Sequence, residues 1–245
     1  MTVAERMRLE RAIIGELDQL QAEHAARVAR AIMAGKHVDD ALWARLSDET
    51  RTVLSGYLRR VYAASAMRWT RRLGVVLLPE AIERDAETWA DTYTERLAPL
   101  VTATARERIE SGVADLRSKL DPQEDLDPAK VDELATRVFG SNRAASIAAT
   151  ETTRAETSGG WDSVNRINDE VGDEVIEARW ITADDDRTCW ICNPLHNTDR
   201  DTWGPEFPEG PPAHPGCRCS LTYERRETAR GRRGDFFFSN ARPEQ

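Results

Sequence analysis

Long hydrophobic runs are missing from this sequence. None approaches the roughly 20 apolar residues that span a bilayer, and "GVVLLP" at 74–79 falls far short. An excess of positive charge is missing as well: 34 Lys and Arg stand against 43 Asp and Glu, a formal net charge of −9. Phosphates repel such a surface, which excludes general coating of nucleic acid and leaves only a local basic patch as a route to it. The opening "MTVAERMRLERAII" lacks the basic-then-apolar order of a secretory signal, so a reducing cytoplasm is the expected folding environment. Cysteine is the scarcest informative residue. All four lie in "TCWIC" at 188–192 and "HPGCRCS" at 214–220, with none anywhere else. In a reducing compartment, cysteines clustered in this way bind metal more often than they form disulfides.

The residues that are present describe a chain at the polar end of globular, with 31% charged and 40% hydrophobic side chains. Its 245 residues suffice for one core or two modest domains. "TVAE" at 2–5 has the form of a capping box with Thr2 as N-cap. Ile13, Leu17, Leu20, His24, Val28 and Ile32 then recur on one helical face, with Gly35 as the stop. His24 has no companion donor and reads as a core or partly exposed histidine. A second helix, capped by Ser47, carries Leu54, Leu58, Val61 and Ala64 and ends near Gly74. A third starts at Pro79 with Ile82, Trp89, Tyr93 and Leu97 on its inner side. Pro99 is expected to kink or break it, because proline removes a backbone donor. Apolar spacing resumes at Val101, Ile109, Val113, Leu116 and Leu120.

"DPQEDLDPAK" at 121–130 is the best linker candidate, and its second half suits a helix start with Asp127 as N-cap and Pro128 at the first helical position. That helix runs to about Phe139, and another begins at Ser141 and carries "TETTRAE" at 150–156. Glu151 and Arg154 stand there at i,i+3, able to pair. "EVIEARWIT" at 174–182 and "CSLTYE" at 219–224 alternate as strands, with a turn-rich loop between them. The expected fold is mainly α with a small α+β C-terminal domain. Long amphipathic helices over 1–120 are followed by a segment, 121–224, with a cysteine-rich loop and β-hairpin. An Arg-rich tail closes the chain at 225–245.

Cys189 and Cys192 form a C-x-x-C pair, which one tight turn aims at a single ion. Cys217 and Cys219 leave the same face if their segment is extended, with Arg218 pointing away. His214 precedes them across a Pro-Gly turn. Zinc takes four donors in a closed structural site, so one of these five is spare. Either the four thiolates bind with His214 left over, or a Cys₃His set does. A loop rich in glycine and proline has little apolar surface to offset its ordering entropy, and zinc supplies about 10 kcal/mol or more. Disulfides or four reduced thiols are the plainer alternative. Two catalytic alternatives exist: "DDDRTC" with His214 suggests a metal-dependent nuclease, which four sulfur ligands would close, and C-x-x-C beside a strand suggests a redox motif, which lacks its βαβ setting. A nucleic-acid-binding zinc module would need basic residues where "ADDDRTC" and "GPEFPEG" are acidic.

Taken in order, "ATETTRAET", "RWITADDDRTCWIC" and "PPAHPGCRCSLTY" resemble the C-terminal domain of the phage Mu F-like minor head proteins, also called phage head morphogenesis proteins. The matching positions are Thr150, Glu151, Arg154, Asp185, Arg187, Thr188, Cys189, Cys192, His214, Pro215, Cys217, Arg218 and Cys219, within roughly residues 130–224. Ala149 departs from the arginine often found before the T-E pair, and many members replace the first cysteine pair. Arg187 and Arg218 then matter by binding acidic partners, Glu151 or the aspartate run. The resemblance implies a non-catalytic minor capsid protein of a tailed phage, assembled in the host cytoplasm and carried inside the head. It also implies association with the portal, with major capsid or scaffold protein, and with double-stranded DNA through the Arg-rich tail. No membrane partner is implied. The alternative is a nuclease or toxin-like transferase carried in the virion. Long helices suit docking on other helices, and "FFF" at 236–238 suits an anchor in a partner groove.

Overall fold

The computed structural model describes residues 3–35, 38–75, 77–121, 123–171, 176–183, 185–186 and 188–225. Thr2, Asp184, Arg187 and residues 226–245, with the three phenylalanines, lie outside the described residues. The chain runs α1 (Val3–Met33), α2 (Asp40–Leu73), α3 (Pro79–Ser118), α4 (Pro128–Val138), α5 (Ser141–Val171), β1 (Ile176–Ile181), a 3₁₀ turn (Asn193–Leu195), α6 (Arg200–Trp203) and β2 (Ser220–Arg225). It is mainly α with a small two-stranded sheet at its C-terminal end, as the apolar spacing predicts. None of its described helices is long and apolar enough to cross a membrane.

Two of the expected boundaries differ. The second helix begins at Asp40, not at Ser47, because the Asp39 carboxylate accepts the Leu42 N–H at 2.7 Å and caps it earlier. Trp43 and Leu46 thereby join the buried face that continues to Leu54 and Leu58. Pro99 does not break α3, which continues through it for 40 residues. Pro99 and Glu95 are both exposed, so the Glu95 carbonyl that loses its donor lies on the solvent side. Other ends follow the sequence: Gly74 closes α2 in the left-handed region at φ 72°, and Asp127 caps α4 through the Ala129 N–H.

Of the four apolar cores among the described residues, three join more than two elements. Val28, Ile32, Trp43, Leu46, Ile109, Val131, Leu134 and Phe139 join α1, α2, α3 and α4. Ile13, Leu17, Leu54, Leu58, Val61, Ala90, Ala144 and Ala148 join α1, α2, α3 and α5. Both draw residues from either side of position 120. The inner stripe of α3 is made of small residues, Ala86, Ala90, Thr94, Ala98, Thr102 and Ala105, with Ile82 and Ile109 at its ends. Trp89, Tyr93 and Leu97 flank that stripe and are partly buried. His24 is a core histidine, 2% exposed, with Nε2 2.9 Å from Glu49 Oε2.

The third core belongs to the sheet. β1 pairs with β2 antiparallel, Trp180 opposite Leu221 and Ala178 opposite Tyr223. Ile176, Ala178 and Trp180 point inward and meet Trp69, Val164, Ile167, Trp203 and the cysteines. The connecting loop is therefore less bare than its glycines and prolines suggest: Leu195 and Trp203 are buried, and Phe207 packs against them. Burying an aromatic of this size is worth about 1.5–3 kcal/mol, so the module carries apolar stabilisation of its own.

α5 is the element that places this module. Its glycines let it approach two neighbours at once. A Cβ on Gly159 would stand 2.3 Å from the Tyr62 carbonyl oxygen of α2, and one on Gly160 would meet Tyr223 and Trp69 at 2.9 and 3.0 Å. Gly159→Ala is expected to lower unfolding stability by about 1–3 kcal/mol or more, because the obstruction is backbone. Gly15→Ala, on an exposed face of α1 with nothing within 4 Å of its Cβ, is expected to gain up to about 1 kcal/mol. Denaturant melts of both variants check the pair, and equal effects would contradict this packing.

Candidate metal centre

The first donor pair sits on a turn that starts in a small ring of hydrogen bonds. The Thr188 N–H donates to the Asp185 carbonyl at 2.9 Å, and the Asn193 N–H donates to the Cys189 carbonyl at 2.9 Å. The Cys192 N–H then points back at Cys189 Sγ, 3.4 Å away, which favours a charged sulfur there. The second donor segment turns at His214-Pro215-Gly216-Cys217. The Cys217 N–H reaches the His214 carbonyl at 3.1 Å, and Gly216 supplies the positive φ of 74° that the turn needs. Cys217 and Cys219 are buried, whereas Arg218 between them is only partly so, as alternation in an extended segment requires.

These two turns meet. His214 Nε2 is 3.1 Å from Cys189 Sγ and 3.3 Å from Cys192 Sγ, and Cys192 Sγ is 3.8 Å from Cys217 Sγ. Two triads of donors result, Cys189–Cys192–His214 and Cys192–Cys217–Cys219, sharing Cys192. All five donors line one cavity of about 30 Å³ with Ala183, Thr188, Gly216 and Arg218. That volume holds a single water-sized body. The four cysteines are free thiols. The imidazole is oriented by its other nitrogen, since Nδ1 lies 2.9 Å from the Pro215 carbonyl oxygen, an acceptor only. Nδ1–H therefore donates, and Nε2 presents its lone pair to the cavity. Soft sulfurs and a lone-pair imidazole converging on an ion-sized space fit a zinc-like cation.

Electrostatics divide the cluster, drawing Cys189 and Cys217 towards the thiolate and holding Cys192 and Cys219 as thiols. Burial opposes ionisation of Cys189, but the Cys192 N–H and thiol, the Ile191 N–H and His214 together draw its thiol below the ordinary value. A bond from the Cys219 thiol, working against burial, draws Cys217 down to about 5. The same bond, with burial, pushes Cys219 upward. Burial and the neighbouring Cys217 charge push Cys192 up to about 12. Burial alone would depress His214, but the Pro215 carbonyl and the charges of Cys217 and Cys189 raise it.

The cluster is tied to α5 through Thr150, one of the positions of the family resemblance, and through Thr153, which the sequence leaves unremarked. The Gly216 N–H donates to Thr150 Oγ1 at 2.7 Å, and the Thr153 hydroxyl donates to the Cys217 carbonyl at 2.8 Å. Arg6 of α1 donates to Thr153 Oγ1 at 2.7 Å and pairs with Glu156. The expected pairing of Glu151 with Arg154 does not form. Glu151 is buried, 6% exposed, and accepts the Tyr93 hydroxyl at 2.7 Å, while Arg154 pairs with Glu209 at 3.1 Å. The reason is burial, for α5 turns Glu151 towards α3 and leaves Arg154 at the rim. Arg218 meets Asp185 in a two-pronged contact at 2.7 and 2.8 Å, so the aspartate run is its acidic partner. His196 is exposed and stays out of the cluster, its Nδ1 2.8 Å from Thr182 Oγ1.

A family model described as Phage Mu protein F like protein matches residues 86–222, more than half of the chain. The match enters within α3 and ends in β2, taking in α4, α5 and all five donors. No curated protein and no solved structure matches the chain.

Glu151 supplies a pH test of the α5 packing. Burial raises its carboxyl above the ordinary 4.5, with Tyr93 and Arg154 opposing. A raised folded value means that its contribution is fully present below about pH 4.5 and is lost as pH rises through the folded value. Glu151→Gln cannot lose that contribution. Its stability relative to the unsubstituted protein is therefore expected to grow from acid towards neutral pH and then level off. Thermal melts across that range check it, and a stability difference, variant minus unsubstituted protein, that stays constant or falls as pH rises would contradict the assignment.

Proposed function

The chain belongs to the Phage Mu protein F like family of phage head morphogenesis proteins, and from that premise we propose that it is a non-catalytic minor capsid protein of a tailed phage, carried inside the head and associated with the portal. Structural zinc is the ion proposed for its cysteine cluster. The observation that carries this reading is the convergence, inside the matched segment, of two turns whose five soft donors surround a space fit for one ion and too small for a substrate. A catalytic zinc keeps an open coordination position beside room for a reactant. Here the surrounding bonds run to α5 and hold the loop in place.

Cys189, Cys192, Cys217 and His214 are the proposed ligands, with Cys219 behind them as a thiol donor to Cys217. This choice favours the Cys₃His set over four thiolates, because His214 Nε2 touches both sulfurs of the first turn. The bound ion would supply a cross-link between the turns, on the order of 10 kcal/mol of apparent folding energy. A nuclease or transferase role has no comparable support, since no acidic side chain lines the cavity among the described residues and Asp185 is engaged by Arg218.

Portal contact is proposed for the helical region 1–120, with major capsid or scaffold protein as further neighbours. The apolar stripes of α1–α3 face inward, so the contact uses outer faces, where Leu78 and Leu100 are 67% and 66% exposed. DNA contact is proposed for the arginines of the tail. Cosedimentation with the portal protein encoded by the same phage tests the portal role. The protein is expected to travel with the portal, and Leu78→Asp or Leu100→Asp is expected to weaken the association about tenfold. Absence of the chain from purified heads, or no cosedimentation at low salt, would overturn the proposal.

A further inference from the structure

The cluster holds five donors where a closed site uses four, and its sulfurs are unequally placed. Cys192 and Cys217 come from different turns, yet their Sγ atoms are 3.8 Å apart, and their side chains are 2% and 1% exposed. Cys189 and His214, partly exposed, stand towards solvent on the same cavity. The two pairings within a turn are poorer joints. A bond between Cys189 and Cys192 would close one turn on itself and leave the two turns unconnected. Cys217 and Cys219, two residues apart on extended backbone, have Cα atoms about 6.5 Å apart, near the upper limit for a disulfide.

We infer that Cys192 and Cys217 form a specific oxidation site, whose disulfide replaces the metal as the link between the two turns. This inference rests on the metal reading above and on the role as a head component. With a peroxide as oxidant the chemistry balances. One thiolate attacks a peroxide oxygen and breaks the O–O bond, giving a sulfenic acid and the first water once protonated. The second thiol attacks the sulfenic sulfur and expels the second water. The two cysteines lose two electrons and the peroxide is reduced to two waters; free thiols supply the two protons, and when the pair is held as thiolates by a cation the protons come from solvent as the cation leaves. A reducing cytoplasm keeps the thiols available for metal during assembly, whereas a released particle meets an oxidising medium. The module is thus held by metal inside the cell and by a covalent bridge outside it.

Hydrogen peroxide titration of the full chain, purified under reductant and assayed first for zinc, tests this. Trypsin cuts after Arg200 and Arg218, which places Cys189 and Cys192 on 188–200, Cys217 on 201–218 and Cys219 on 219–225. Fragment-ion sequencing of the joined peptide tells a Cys192 link from a Cys189 link, the latter counting against the inference. About one zinc should be released for every two thiols lost, with 188–200 joined to 201–218 through Cys192. A thiol reductant should restore both thiols and zinc uptake. Cys219→Ser should give the same joined fragment, which keeps the test independent of variants that fail to fold. Dominant Cys189–Cys192 or Cys217–Cys219 links would overturn the inference, as would sulfinic acids without links or thiols that survive excess peroxide. Protein isolated without zinc would overturn the metal reading instead, and the map of links would still decide the thiol pair.

Discussion

The approach of the Cys189–Cys192 turn to the His214–Cys219 segment is the constraint around which the C-terminal half of the molecule is arranged. Between them lie a 3₁₀ turn, a one-turn helix and a run of prolines and glycines, none of which has a hydrogen-bond ladder long enough to hold the two ends together. What fixes the ends is outside the loop. The strand pair sets β1 beside β2, Trp180 and Trp203 fill the space beneath them, and the Thr150 and Thr153 side chains of α5 take hold of Gly216 and Cys217. Given that frame, the five donors converge without any strand of their own. An ion bound there completes a geometry that hydrogen bonds and aromatic packing already favour, which is how a structural site differs from a flexible chelator.

α5 has an unusual load for a helix, since Glu151, Thr152, Thr153, Thr157 and Ser163 are all buried on it. Small side chains and two glycines allow α2 and the sheet to come close on different sides, and most of the polar groups find partners. Tyr57 meets Thr152, Tyr93 meets Glu151, Ser65 bonds the Glu156 carbonyl and Tyr62 bonds Asp162. A contact made this way is specific, because a slip along the helix leaves buried hydroxyls without partners at about 1–3 kcal/mol each. The same helix carries Thr153 to both Arg6 of α1 and the Cys217 carbonyl. The helical part and the cysteine module are therefore joined through one side chain as well as through shared cores.

Much of this arrangement was legible in the residues. Apolar periodicity located α1, α2 and α3, a start at Ser141 located α5, and Gly74, Pro79, Asp127 and Gly140 marked ends correctly, because each acts through local backbone chemistry. The spacing of the cysteines identified the cluster before any fold was known. Four features were not legible, each for a physical reason. The α3 stripe of alanines and threonines carries little hydrophobic contrast, so the eye moves to Trp89 and Tyr93 beside it. Pro99 is expected to kink or break its helix, and the helix is unbroken because a hydrogen bond lost on a solvent face is replaced by water. Glu151 looked like one half of a surface ion pair, since nothing local says that a helix with so few large apolar residues is buried on several sides. His214 as a close neighbour of both sulfurs in the first turn depends on a contact across 22–25 residues, which no spacing rule contains.

Zinc-edge X-ray absorption on protein purified under reductant tests the central claim most directly, because it reads the atoms around the ion. The account predicts a sulfur shell at about 2.3 Å and a nitrogen shell at about 2.0 Å, in a ratio of about three to one. Zinc surrounded only by oxygen and nitrogen, or by the two sulfurs of a single turn, would contradict it.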